Sequence, residues 1–67
     1  MRFKVGDCIV WSFSNDKCYE KILEINEKAD YCKRLDLETN KILNGGAIWL
    51  SSEYTRLMTD EEKIELL

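Results

Sequence analysis

Asp36 and Glu38 stand two positions apart in a run that alternates like a strand, so both carboxylates fall on one face. There they could bind a cation or work as an acid–base pair, although side by side on the wet side of a strand they are accounted for as solvated charges. The thiols of Cys8, Cys18 and Cys32 are the other groups with chemistry to offer. They form no Cys-x-x-Cys pair, and with no histidine in the chain a zinc site would have to gather three thiolates and a carboxylate from separate segments. An odd cysteine count suits reduced thiols serving as small apolar strand residues, and with it a cytoplasmic location. The missing histidine also removes the usual general base and nucleophile activator. The sequence therefore reads as a non-enzyme, with no catalytic residue, cofactor or metal assigned.

Binding is what remains, and the aromatic residues carry it. Trp49 lies between Ile48 and Leu50, so either the tryptophan or its two neighbours face outward, and an apolar patch results in both cases. Core bulk is the competing explanation for Trp11 and for Trp49, and it stays open. Together with Tyr54, Ile64 and Leu67, Trp49 makes a candidate protein interface. A second candidate surface is cationic: Arg2, Lys4, Lys17, Lys21, Lys33 and Arg34 could contact nucleic acid. The charge distribution favours the first. The net charge is -3, and residues 53–67 hold all of it, with five acids against two bases, while the preceding body carries eight of each sign.

The elements that position these residues follow from alternation and turn chemistry. At 67 residues there is room for one core, in a chain that buries only about 60% of its unfolded surface. Gly6-Asp7 turns the chain, anchored by Phe3 and Val5, into the strand Cys8–Phe13. Ser14 to Lys17 then forms a hairpin turn into Cys18–Asn26, where Leu23 and Ile25 share a face and Ile22 breaks the pattern, marking a bulge or a second buried surface. After the turn Asn26–Asp30, Tyr31, Leu35 and Leu37 fall on one face of a third strand, with Cys32, Arg34, Asp36 and Glu38 on its wet side. A turn at Glu38–Lys41 leads to a fourth strand from Ile42. Gly45-Gly46 fits a tight turn or a sharp bend equally well, Ala47–Leu50 is strand-like, and Ser51–Tyr54 has the composition of a helical turn. Thr59 with Glu62 three residues on is a capping box that starts a short helix, whose Ile64 and Leu67 share a face for the barrel or a partner.

Phe3-Lys4-Val5-Gly6-Asp7 before an apolar strand, a hairpin ending in Leu23-Glu24-Ile25, the strand Tyr31 to Leu37, and Ile48-Trp49-Leu50-Ser51 with Leu57 resemble the small SH3-like barrels of short bacterial and bacteriophage proteins. The resemblance covers about residues 3–58. It implies a mainly β fold: a barrel of about five strands over residues 1–58, followed by a C-terminal helix over 59–67. KOW-type members of this group bind RNA or proteins, and Tudor-type members bind modified side chains in an aromatic cage. This chain departs from the former in lacking a basic surface and from the latter in having no cage that spacing identifies. The expectation is a cytoplasmic protein-binding module, of the kind a phage uses to modulate a host protein, with a KOW-like nucleic-acid binder as the alternative. A homo-oligomer is compatible with both. No apolar run approaches the ~20 residues that span a bilayer, so no membrane partner is expected.

Overall fold

The computed structural model describes residues 2–47, 50 and 53–67, with Phe13 by its backbone alone. Turn chemistry sets the order of the elements. Strands β1 (Cys8–Phe13), β2 (Asp16–Asn26), β3 (Tyr31–Asp36), β4 (Ile42–Gly45) and β5 (Thr55–Leu57) precede one helix, α1 (Asp60–Leu66). Each of the first three hairpin connections places one residue in the left-handed region, at Ser14 (φ 58°), Asp30 (φ 49°) and Asn40 (φ 62°). Short polar side chains tolerate that conformation and bond their own turns. Asn26 Oδ1 accepts from the Ala29 N–H at 3.1 Å, and Asp36 Oδ1 accepts from Glu38 and Thr39 at 2.8 and 3.0 Å.

The fold is mainly β, five antiparallel strands in one sheet with a short C-terminal helix, as the sequence implies. The strand order is β4-β3-β2-β1-β5, and the sheet is not closed into a barrel. The two strands that would have to meet are short, four and three residues. Between them the chain drops into the core at Ala47 and Leu50, which are buried and lie outside any strand. Ala47 and Leu50, the described ends of the run expected to be strand-like, are thus not in a strand, and β5 lies further along. Ile48, Trp49, Ser51 and Ser52 lie outside the described residues.

The opening turn is fastened to the middle of the sheet. Gly6 adopts φ 95°, a conformation that other residues rarely take, while Lys4 and Asp7 bond each other through the Asp7 carboxylate and the Lys4 carbonyl, both at 3.0 Å. The turn then exchanges two backbone bonds with Ile22, Gly6 N–H to the Ile22 carbonyl at 2.8 Å and Ile22 N–H to the Asp7 carbonyl at 2.9 Å. At this point β2 carries a bulge. Ile22 pairs with Arg34 and Glu24 with Lys33, leaving Leu23 as the extra residue. The bulge reverses the parity of the strand, so Ile22 and Ile25 share the core side and Leu23 does not accompany Ile25 as simple alternation predicts.

Among the described residues the main core cluster is Phe3, Ile9, Ile22, Cys32, Ala47 and Leu50, with Ile25 packed against it, and Val10 and Met58 are buried apart from that cluster. Phe3 anchors the opening turn as expected; Val5 is exposed instead. If the bulge sets the buried face, Ile22→Ala should cost about 2–5 kcal/mol in urea denaturation, whereas Leu23→Ala should cost less than about half of that. Equal losses at the two positions would contradict the register.

Candidate functional site

The side of β3 that alternation marks as wet is the buried one. Cys32 is fully enclosed, and Arg34 is buried with it, while Tyr31 and Leu35 on the opposite side are only half-buried. The cause is a carboxylate on the neighbouring strand. Glu20 of β2, 1% exposed, accepts a hydrogen bond at 2.9 Å from Arg34 Nη1 through Oε1. Its other oxygen accepts at 3.1 Å from the indole N–H of Trp11 on β1. Cross-strand registry makes this row: Glu20 stands opposite Ile9 and Asp36, with Trp11 and Arg34 at the adjacent diagonal positions.

The row extends to β4 through glycine. A methyl group at Gly45 would come within 3.3 Å of Arg34 Nη2, so the guanidinium occupies the space a side chain there would take. At Gly46 a methyl would meet the Asp30 carboxylate at 3.1 Å, and the Gly46 carbonyl accepts from the Cys32 thiol at 3.5 Å. Neither glycine has a positive φ. Gly45-Gly46 is therefore the close-approach bend by which β4 leaves the sheet for the core, and not a tight turn. Arg34 Nε is buried without a hydrogen-bond partner, the one imperfect contact of the cluster among the described residues.

These contacts redistribute the cations. Arg34 is removed from any nucleic-acid surface by its burial against Glu20. Arg2 donates to the Thr55 carbonyl and lies 4.7 Å from the Phe3 ring centroid, tying the N-terminal segment to β5. Lys33 stands 3.9 Å from Glu24 in an exposed pair, and Lys4, Lys17 and Lys21 are exposed. By strand alternation Lys17, Lys21 and Lys33 share the outer face of the sheet with Tyr19, Tyr31, Leu35 and Ile42. The Tyr31 hydroxyl there donates to Asn44 Oδ1 at 2.9 Å.

Cys18 and Cys32 lie on the same side of the sheet as Glu20. Burial, reinforced by Glu20 and Asp36, pushes the Cys18 thiol up from its ordinary value, and burial does the same to Cys32. Asp36 caps the following turn, and Glu38 lies in that turn, so the two do not act as a facing pair. Among the described residues no three Cys, Asp or Glu side chains gather as a metal site would require.

The C-terminal candidates present a different picture. Helix α1 has the expected capping box: the Glu62 N–H donates to Thr59 Oγ1 at 3.2 Å and the Thr59 N–H donates to Glu62 Oε1 at 2.8 Å. Arg56 of β5 grips the same carboxylate with two bonds, at 2.7 and 3.0 Å. None of the helix residues is buried. Ile64 is 80% exposed and Leu67 74%, with Tyr54 at 64% and the unforeseen Leu57 at 54%. Leu57 pairs with Ile9 on the edge strand of the sheet, where among the described residues no further strand covers it. Trp49 lies outside the described residues.

Comparison with protein-family models, with curated proteins and with solved structures finds no match to this chain. Among the described residues no helix is long and apolar enough to cross a membrane.

Two expectations follow from the charges. Arg34→Met strands Glu20 as an unpaired buried carboxylate at a cost of about 3–5 kcal/mol. That is comparable with the ~3–10 kcal/mol that about 0.05–0.15 kcal/mol per residue allows this chain, so the variant should be largely unfolded by circular dichroism. Replacing both partners, Glu20→Leu with Arg34→Met, should restore a cooperative transition; a double variant as unstable as the single one would contradict the pairing. The second expectation concerns pH. The Arg56 hydrogen bonds, then those of Thr59, lower Glu62 from 4.5 to about 2. A lowered carboxylate contributes stability above its unfolded value and loses it as pH falls through the folded one. The Cα shifts of residues 60–66 should accordingly stay helical at pH 5 and lose helicity from about 4.5 down to about 2. A melt centred near the ordinary carboxylate value would show that the clamp does not form.

Proposed function

We propose that this chain is a non-enzymatic protein-binding module, an SH3-like domain in its strand order, that docks partners through its C-terminal surface. One observation carries the reading: among the described residues, of six exposed large hydrophobic side chains four, Tyr54, Leu57, Ile64 and Leu67, come from the last fourteen residues. They stand around a helix that a capping box and an arginine clamp hold in shape without burying any of its residues. A short helix that contributes nothing to its own core, yet is fixed in place, is suited to presenting apolar side chains to another molecule. The acids of its first turn, Asp60 and Glu61, would favour a partner with basic groups beside an apolar surface. Three free thiols suit a reducing cytoplasm, and a small modulator of a bacterial or phage-infected cell fits this description.

A KOW-like nucleic-acid reading keeps one supporting observation, the placement of Lys17, Lys21 and Lys33 on the outer face beside Tyr19 and Tyr31. It loses Arg34 to the interior and has an acidic helix attached to the same domain. The readings separate in one affinity experiment with immobilised protein and bacterial lysate, followed by mass spectrometry. Wild type should retain a protein that the folded variant Ile64→Asp/Leu67→Asp does not, with no change on nuclease treatment. Identical recovery by both proteins would contradict the docking surface, and nuclease-sensitive recovery would favour the nucleic-acid reading.

A further inference from the structure

Two surfaces of this chain are open, and their chemistry is complementary. The outer face of the sheet, closed over Val10 at β1, presents Lys17, Lys21 and Lys33, the last paired with Glu24, around half-buried Tyr19 and Leu35 and exposed Ile42. Helix α1 presents Asp60, Glu61 and Glu65 around exposed Ile64, and Leu67 follows it at the chain end. Glu61 and Glu65 are one helical turn apart and flank Ile64, so the acids border an apolar stripe as the lysines border an apolar patch. Arg56 shares this face with Val10 and Tyr19 and holds Glu62 at its β5 end, while Leu35 and Ile42 lie on β3 and β4, three and four strands away from β5.

We propose that the acidic helix of one copy docks on the lysine-bearing outer face of a second copy, and reciprocally, giving a two-fold dimer. This rests on the C-terminal surface being a protein-docking surface and names its partner. Reciprocity matters because a single helix-to-face contact would propagate from copy to copy, whereas a two-fold pair satisfies both helices and both faces and closes. The net charge of the helical end, which would resist assembly through helix–helix contact, is neutralised by this arrangement.

Sedimentation velocity across a wide range of protein concentration tests it. Wild type should dimerise, with affinity that falls as salt is raised. Lys21→Glu/Lys33→Glu and, separately, Glu61→Lys/Glu65→Lys should each weaken self-association about tenfold or more, since like charges would then face each other. An equimolar mixture of the two variants should dimerise again, because each then offers the charge the other lacks. A wild type that stays monomeric at every concentration overturns the proposal, and the docking surface then serves a different protein, as the lysate experiment would still reveal. A dimer indifferent to both charge reversals also overturns it, since pairing through the β4 or β5 edge would behave so.

Discussion

A carboxylate placed inside a domain this small constrains everything around it. Glu20 is enclosed in the sheet, and the attraction of one guanidinium does not by itself offset the loss of water around both charges. The cluster is viable because both carboxylate oxygens are occupied, one by Arg34 and the other by the Trp11 indole. These bonds connect β1, β2 and β3 across the sheet at positions that a wrong register would separate. Gly45 gives the guanidinium room at the fourth strand. The ion pair thus ties three strands together in one register, while the adjacent Ile9, Ile22 and Cys32 supply the apolar burial.

The same constraint explains which parts of the fold were legible in the sequence. Local chemistry was readable: the glycine turn at Gly6, the polar turns that bracket β2 and β3, and the capping box at Thr59 and Glu62 all appear as the residue types require. Alternation then failed on β3, because it assigns Arg34 to water on the grounds of its charge. Nothing in the sequence around Arg34 announces that Glu20, fourteen positions earlier, will be brought against it. The bulge at Leu23 was marked by Ile22 breaking the pattern, but its consequence, a change of face for Ile25, depends on the backbone bonds from the opening turn. Barrel closure failed for a related reason, since the residues that look like a closing strand contribute Ala47 and Leu50 to the core instead.

Functional legibility divided along the chain in a similar way. The concentration of negative charge from residue 53 onward was visible in composition and coincides with the exposed apolar residues of the C-terminal end. The cationic list was less reliable, because sequence alone cannot separate Lys21, which is exposed, from Arg34, which is committed to the interior. What results is a domain with two distinct regimes. Its interior is organised by a paired charge, and its surface separates an acidic helical end from an outer sheet face with three lysines.

Trp11, Glu20 and Arg34 form one hydrogen-bonded network across three strands, and proton exchange at its two donors reports on it. In nitrogen-15 NMR spectra, with Trp11→Phe used to assign the indole, the Trp11 N–H should exchange with solvent far more slowly than an exposed indole. The Arg34 guanidinium protons should be resolved and slow to rotate at the same temperature. Rapid exchange at Trp11 together with a freely rotating Arg34 in the folded protein would contradict the account.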